Sequence, residues 1–428
     1  MAPAVSFTLA NGLKVIVSED HTTPVAAMSV WVRAGVCEEP NGQRGIAHFV
    51  EHMLFRGSRR FHGKEHSNRI ERMGGQLNAF THWDMTVYHQ TVPADRISEI
   101  FELEGDRILY PLFRKDDTDV ERKVILEEFE AQVNDPDARA YRCLIEELGE
   151  GHPYCLTPLG RRPHVESITH EQLAQFHREY YTPNNSFIVV CGAVRTEEIA
   201  VLARRHFGDW QAAKTPPRER PLYRPKLGNL RLNLSFRVPM AVRAFALKPM
   251  KNEDEPALHL LMSLLVKGGS APMREDLLRR RRLCVHVDGE LHHMDRGGML
   301  ALFGAFLPPT RFKTVRSAIK EHCDRLADAG PNPADFPQHL KLFQKLRLRE
   351  AYTPAGRMMG HGNAEALRNG FQEYEQMLQK YAEVTPERVR AQARALFAPS
   401  NTLELDIHPE HIKRWMWLAG LFMKVWRR

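Results

Sequence analysis

The sequence has little cysteine and no long apolar run. Its 428 residues include six cysteines and no C-x-x-C pair, so neither a thiolate zinc site nor a disulfide framework is indicated. No segment approaches the roughly 18 consecutive apolar residues that a membrane-spanning helix requires. We therefore expect no membrane span.

Basic residues exceed acidic ones, but they do not form a recognisable nucleic-acid-binding pattern. The chain carries 60 Lys and Arg against 53 Asp and Glu, a formal net charge of +7. Apart from the run Arg279–Arg282 the basic residues are dispersed, and no nucleic-acid-binding motif accompanies them. We therefore expect no nucleic acid as a partner.

The length and composition are typical of a globular protein. Hydrophobic residues make up 43% of the chain, which is enough for a large core and about two to four structural units. The pattern of a first strand begins close to Met1. Two cellular locations remain as alternatives. The bacterial periplasm is favoured if a leader was removed ahead of this strand, and the cytoplasm otherwise.

The segment Gly45–Phe55, GIAHFVEHMLF, contains a histidine pattern with metal-ligand spacing. Its apolar residues predict a helix, on which His48 and His52 lie about 40° apart on one face. Glu51 leans to the same side, where its carboxylate can act as a base toward water. This order, H-x-x-E-H, is a pattern of zinc peptidases. For the motif alone, the alternative is a packed helix with surface histidines.

Strands are predicted on both sides of this helix. The runs Ser6–Leu9 and Leu13–Val17 predict a β-hairpin, and Ala27–Ala34 predicts a third strand. After the helix, Gln76–Thr81 and Met85–Val92 predict two more. Gln76–Thr81 is either an exposed edge strand, on which an extended peptide can pair as an added strand, or an ordinary internal strand.

A second helix, predicted over Asp116–Val133, carries several carboxylates. Thr118 with Glu121 three residues later fits a capping box, which gives Glu121 a role in starting the helix. Glu128 lies seven residues beyond Glu121 and returns to within about 20° of its bearing. One of these carboxylates can ligate a metal while the other supports the site, although acidic residues on helices are usually solvated.

The second half of the chain predicts another α+β unit without an H-x-x-E-H motif. Residues 212–229 hold four prolines among mostly polar residues and predict a linker. Beyond it follow a predicted strand, Leu230–Val238, a helix, Glu255–Lys267, and further helices over residues 366–397. The histidines of this half lack ligand spacing and are predicted to be polar surface or loop residues: His292, His293 and His361.

The order of several segments resembles the pitrilysin/insulinase family of zinc peptidases, most of all its short-chain branch with the mitochondrial processing peptidases and bacterial heterodimeric relatives. The segments are GIAHFVEHMLFRGS, GGQLNAFT, ERKVILEEFEAQVNDP, HPYCLTPLG and YYTPNNSFIVVCGAV. The resemblance implies that His48, His52 and Glu128 bind one Zn²⁺ per chain. It also implies that Glu51 is the general base and that Glu121 is the supporting acidic residue of the catalytic site. By the same resemblance, substrate binds along an edge strand formed by Asn78, Ala79, Phe80 and Thr81.

The same resemblance implies an α+β fold of two similar domains, each a mostly antiparallel mixed sheet covered by helices. Residues 1–211 are the zinc-bearing domain, 212–229 the linker, and 230–428 a like-folded domain without the metal site, together one half of a clamshell. The expected function is that of a zinc endopeptidase subunit acting on peptides or unfolded segments. The alternative is a non-catalytic assembly or binding subunit of a peptidase-like complex.

One part of the second half departs from the family pattern. Active relatives carry an Arg and a Tyr seven residues apart, where the ungapped match gives Leu278 and Val285 here and a shift by one gives Arg279 and His286. Neither register restores the tyrosine. Either His286 or a nearby Arg such as Arg279 substitutes, or a like-folded partner subunit supplies the pair. We favour a heterodimer, with a homodimer possible.

The C-terminal stretch Ile412–Arg428, IKRWMWLAGLFMKVWRR, combines tryptophan with basic residues. It is too short to span a bilayer. We expect it to pack within the protein or its dimer, because aromatic helical stripes are usually buried, with a membrane surface as the alternative.

Overall fold

The computed structural model describes residues 3–135, 138, 142, 145, 146, 149, 151–216, 221–234, 238–249, 255–267 and 271–409. The tail 412–428 lies outside the described residues. Two compact units divide the chain, the first from Met1–Ala131, Leu156–Arg220 and Leu348–Gln376, the second from Gln132–Cys155, Pro221–Arg347 and Met377–Arg428. Among the described residues, no helix has the length and apolar character needed to cross a membrane.

The first unit is built on a six-stranded mixed sheet in the order β1-β2-β6-β3-β5-β4. β2 and β6 pair in parallel, and the other neighbours pair antiparallel. β4 therefore lies at an edge, which confirms the edge-strand interpretation of Gln76–Thr81. The strands are β1 (Val5–Thr8), β2 (Lys14–Glu19), β3 (Val25–Val32), β4 (Gln76–Thr81), β5 (Thr86–Pro93) and β6 (Ser186–Gly192).

The second unit contains a five-stranded mixed sheet in the order β7-β11-β8-β10-β9. β11 pairs in parallel with β7 and antiparallel with β8, and β10 pairs antiparallel with both β8 and β9. The α+β fold class with two mostly antiparallel mixed sheets is thus confirmed. The strands are β7 (Gly228–Leu234), β8 (Met240–Leu247), β9 (His286–Met294), β10 (Gly297–Ala305) and β11 (Thr402–Pro409).

Several helices pack on the two sheets and bury apolar side chains. In α1, for example, every residue except His52 is buried. The helices are α1 (Ile46–Met53), α2 (Glu65–Arg72), α3 (Ile97–Leu109), α4 (Lys115–Asn134), α5 (Arg162–Ser167), α6 (His170–Tyr180), α7 (Thr196–Phe207), α8 (Glu255–Leu265), α9 (Pro272–Arg274, continuing as a π-helix over Glu275–Arg280), α10 (Phe312–Ala329), α11 (Phe336–Ala351), α12 (Pro354–Leu367), α13 (Glu373–Ala382) and α14 (Pro386–Leu396).

α12 comes from the second half of the sequence but packs on the first sheet, against β3 and β6. Gly362 on this helix permits the approach, because a Cβ there would lie 2.0 Å from Cζ2 of Trp31. Arg357 pairs with Asp20 at 2.8 Å, and Glu365 pairs with Lys14 at 2.7 Å. The first unit therefore includes Leu348–Gln376 from the second half of the sequence, so the two units do not correspond to a single boundary at residues 212–229. The division into halves 1–211 and 230–428 stays a prediction.

Two local predictions were wrong. α4 begins at Lys115, one residue before the predicted start, but Thr118 lies inside the helix and its hydroxyl donates to the Arg114 carbonyl at 2.9 Å instead of capping. His361 is not a surface or loop residue but lies buried in α12, 1% exposed, with its Nδ1 3.1 Å from the Phe371 carbonyl oxygen. His292 and His293 lie in β9 and are partly buried.

Candidate metal centre

The helix that carries the histidine motif has a well-defined beginning. Gly45 precedes it with a φ of 103°, and a Cβ at this position would lie 2.9 Å from the Leu159 carbonyl oxygen. The carboxylate of Glu39 accepts hydrogen bonds from the N–H groups of Gly45 and Ala47, at 3.0 and 3.1 Å. Burial raises the pKa of Glu39 to about 8, against the effect of these hydrogen bonds. Glu39 thus fixes the start of α1, a role that sequence analysis missed.

α1 and α4 bring three metal-ligand side chains together. The imidazole rings of His48 and His52 have centroids 4.5 Å apart. Oε2 of Glu128 lies 3.9 Å from Nε2 of His48 and 3.7 Å from Nε2 of His52. One donor atom from each of the three residues lies within 4.8 Å of the other two. Two nitrogens and one oxygen in this arrangement fit a divalent ion such as Zn²⁺.

Glu121 supports His52 from the side opposite to Glu128. Nδ1 of His52 donates to Oε1 of Glu121 at 2.7 Å, and Arg56 donates to the other carboxylate oxygen. Burial raises the pKa of Glu121, but its bonds to His52 and Arg56 outweigh burial and the pKa falls. Glu121 is therefore an ionised acceptor that fixes the tautomer and orientation of His52.

The two imidazoles differ in their electrostatic environment. Burial, together with the neighbouring His52, lowers the pKa of His48 to about 3, so His48 is neutral. Burial also lowers the pKa of His52, but the hydrogen bond and charge of Glu121 dominate and raise it overall. Nδ1 of His48 has no hydrogen-bond partner among the described residues. Packing, and not an outer carboxylate, therefore holds the His48 ring.

Glu51 lies on the same helix and contacts the end of the edge strand. The hydroxyl of Thr81 donates to Oε2 of Glu51 at 2.5 Å. Burial raises the pKa of Glu51, and the Thr81 hydrogen bond opposes this shift. A carboxylate whose pKa is raised by burial takes up a proton more readily than an exposed one. The side chain of Thr81, expected to bind substrate, thus holds this carboxylate.

The other residues of the predicted substrate segment divide between the two faces of β4. Ala79 packs against the hydrophobic core, as does Leu77 two residues earlier. Asn78 is exposed, and Phe80 has its ring 6.2 Å from that of His89 on β5. Only Thr81 of these four residues has a side-chain hydrogen bond to the histidine helix among the described contacts.

A buried charged network beside the site was not visible in the sequence. Arg107 donates to Glu104 at 2.5 Å, and Nε2 of His66 lies 2.8 Å from the same carboxylate. Burial alone would raise the pKa of Glu104, but Arg107 and His66 lower it to about 2. The Arg107 guanidinium also lies 4.7 Å from the ring centre of Tyr88, and its charge lowers the pKa of Glu51 slightly. Glu104 and Arg107 have the i, i+3 spacing of an ion pair within α3, but that spacing does not show that the pair is buried or that His66 of α2 joins it.

The fold and this site define a two-sheet α+β protein with a His-His-Glu group suited to a divalent metal. The sequence profile described as "Insulinase (Peptidase family M16)" matches residues 14–154, and that described as "Peptidase M16 inactive domain" matches residues 167–343. The chain belongs to peptidase family M16. The predicted resemblance to the insulinase family is thereby confirmed.

Relatives of this chain carry zinc-protease names. An uncharacterized zinc protease of Mycobacterium leprae is 29% identical over 401 residues, covering 91% of this chain and 88% of the relative. The zinc protease PqqE of Helicobacter pylori is 27% identical, covering 79% and 78%. A probable mitochondrial-processing peptidase subunit beta of Arabidopsis thaliana is 31% identical over 200 residues, covering 47% and 38%. A solved protease structure from Helicobacter pylori has a TM-score of 0.89 at 20% identity, covering 95% of this chain and 100% of that one.

Proposed function

We propose that this chain is a zinc-dependent endopeptidase subunit that hydrolyses peptides or unfolded protein segments. The observation that carries the proposal is the convergence of His48, His52 and Glu128, with Glu51 on the same helix. Relatives named zinc proteases support zinc as the metal.

His48, His52 and Glu128 would hold one Zn²⁺, and Glu51 would serve as general base. When bound, zinc supplies a Lewis acid that acidifies water and polarises a peptide carbonyl. Glu51 accepts a proton from the attacking water and passes it to the leaving amine. The Thr81 hydroxyl holds Oε2 of Glu51, which leaves Oε1 for the proton. Glu121 keeps the His52 ring oriented with Nε2 toward Glu128.

Substrate would pair with β4 as an added strand. Among the described strands β4 pairs with β5 alone, and its last residue Thr81 contacts Glu51, so a strand added along β4 runs past the base. Main-chain pairing requires an extended segment with unpaired N–H and C=O groups, which peptides and unfolded segments offer along their whole length. Asn78 to Thr81 would supply main-chain groups, and the exposed side chain of Asn78 would face the substrate or solvent.

A like-folded partner subunit would supply the missing Arg and Tyr. The sequence from Leu278 to Val287 holds no tyrosine. Arg279 pairs with Glu275 at 2.7 Å, and Arg281 pairs with Glu321 at 2.7 Å, so both have carboxylate partners within the second unit. A missing oxyanion donor costs about 10²- to 10³-fold in kcat. A heterodimer is favoured, and a homodimer would leave the donors missing.

Glu51→Gln tests the mechanism. The variant should keep zinc at the His48 site and lose peptidase activity by a factor on the order of 10³, because the proton acceptor is removed while the ligands stay. Metal analysis and hydrolysis of an unstructured peptide measure the two quantities. Glu127→Gln, an exposed carboxylate on α4, is the matched control and should change neither. Near-normal turnover by Glu51→Gln would remove Glu51 from the mechanism.

Mixing the purified chain with its co-purifying partner tests the shared site. Activity should rise steeply on mixing, and replacing the partner's tyrosine with phenylalanine should abolish most of the gain. If the isolated chain is already fully active and no partner accelerates it, His286 or one of the residues Arg279–Arg282 serves as the donor and the heterodimer proposal fails.

A further inference from the structure

The second unit contains another group of two histidines and one carboxylate. Glu255 and His259 lie one turn apart on α8, and His293 lies on β9. One donor atom from each lies within 4.8 Å of the other two, the same closeness as in the His48 group. The sequence does not predict this group, because His293 is far from α8 in the chain and has no ligand spacing of its own.

The distance between Glu255 and His259 already suits a shared metal ion. Oε1 of Glu255 lies 3.6 Å from Nε2 of His259. Zn–N and Zn–O distances of about 2.0–2.2 Å place two ligands of one tetrahedral ion roughly 3.3–3.6 Å apart. The Glu255 side chain is 1% exposed, so its carboxylate has lost most of its water and gains from a cation.

Both imidazoles have an outer partner that fixes the ring. Nε2 of His293 lies 3.0 Å from the Lys248 carbonyl oxygen, which only accepts. Nε2 therefore carries the proton, and Nδ1 has the lone pair that a metal requires. Nδ1 of His259 lies 2.7 Å from the Tyr381 hydroxyl, and its Nε2 is directed to Glu255. Outer hydrogen bonds of this kind are usual for metal-ligating histidines.

An open cavity gives access to the group. It has a volume of about 310 Å³ and is lined by Glu255, His293 and Lys248, among others. Arg224 and Arg296 also line it, so the cavity has no general negative character. A cation would therefore be held here by direct ligation, which favours ions that prefer nitrogen ligands over Mg²⁺ and Ca²⁺.

We propose that Glu255, His259 and His293 form a second metal site, for a divalent transition-metal ion such as Zn²⁺. This site is separate from the residues assigned to peptide hydrolysis and joins the start of α8 to β9. It needs no catalytic role, because a metal that binds only the folded chain stabilises it.

Counting zinc in full-length variants tests the proposal. After removal of metal and dialysis against buffered Zn²⁺, mass spectrometry should find two equivalents in the wild type and one in His293→Ala. His52→Ala should also keep one equivalent, and the double variant should keep none. His292→Ala is the matched control, because neighbouring side chains on a strand point to opposite faces, and it should keep two.

Other outcomes are equally decisive. A wild-type stoichiometry of one that falls to none in His52→Ala would show that Glu255 and the two histidines are only an ion-paired polar cluster. Circular dichroism checks that each variant is folded, and His259→Gln replaces His293→Ala if the latter does not fold. Because metal is counted independently of activity, a chain that binds two zinc ions but stays inactive after mixing with its partner would overturn the proposed peptidase and leave this site intact.

Discussion

Glu121→Gln should weaken zinc binding at the His48 site without removing a ligand. In the structure, Oε1 of Glu121 accepts from Nδ1 of His52 at 2.7 Å, and Arg56 donates to the second oxygen. Glutamine keeps the shape and one accepting oxygen but loses the negative charge. The His52 imidazole then becomes a poorer electron donor, and the positive charge of Arg56 close to the metal is no longer neutralised.

The size of the effect follows from the position of Glu121. Loss of an outer hydrogen-bond partner of a metal ligand typically costs 10- to 100-fold in metal affinity, about 1.4–2.8 kcal/mol. The Glu121 side chain is only 8% exposed, so solvent screens its charge little and we expect the upper half of this range. Once saturated with zinc, the variant should keep activity within about tenfold of the wild type, since Glu51 is untouched.

A competition titration with a chromophoric zinc chelator measures this affinity. The titration is best performed in the His293→Ala background, so that one site is counted. Glu127→Gln on the same helix is the matched control, because its side chain is exposed and should leave the affinity unchanged. Wild-type zinc affinity in Glu121→Gln would refute the reasoning and make the Glu121–His52 contact a simple ion pair.

Three further predictions concern stability and substrate. Gly362→Ala should lower the free energy of unfolding by about 1–3 kcal/mol in urea titration, because the new Cβ would lie 2.0 Å from Cζ2 of Trp31. Burial lowers the pKa of His177 from 6.5 to about 4. Between pH 6.5 and about 4, His177 therefore binds a proton in the unfolded chain but not in the folded chain. Stability should fall by up to about 3 kcal/mol as the pH falls through this window, and His177→Gln should flatten the slope. In a substrate paired with β4, alternate amides donate to β4 and the others point away from it. N-methylation should therefore raise KM about 2- to 10-fold at the first set of positions and leave KM unchanged at the second set. Equal effects at both sets would contradict strand pairing along β4.

The parts of the site that depend on residue spacing within a single helix or strand could be predicted from the sequence. The positions of His48, Glu51 and His52 predicted a single helix with both imidazoles on one face, and α1 has this form. The bounds predicted for the edge strand, Gln76–Thr81, are those of β4. Helical and strand periods are fixed by local backbone geometry, so such patterns need no knowledge of the rest of the chain.

What the sequence did not predict depends on contacts between distant segments. The Thr81 hydroxyl contacts Glu51 only because β4 ends beside α1. α12 can pack closely on β3 because Gly362 has no side chain at the contact with Trp31. A glycine within a helical pattern does not indicate which other element the helix will contact. The capping role predicted for Thr118 and Glu121 was wrong because their spacing fits a capping box, although α4 begins ahead of Thr118 and buries both residues.

The arrangement around His52 explains why the seven-residue spacing on α4 was informative. Nδ1 of His52 lies 2.7 Å from Glu121 and Nε2 lies 3.7 Å from Glu128, so one imidazole contacts two carboxylates of the same helix. Residues seven apart lie about 10.5 Å apart along the helix axis and on nearly the same bearing. The ring must therefore lie alongside α4 between two turns, with one nitrogen toward each carboxylate. A change in the register of α4 would move the candidate ligand and its supporting acid together, so neither contact can be adjusted without the other.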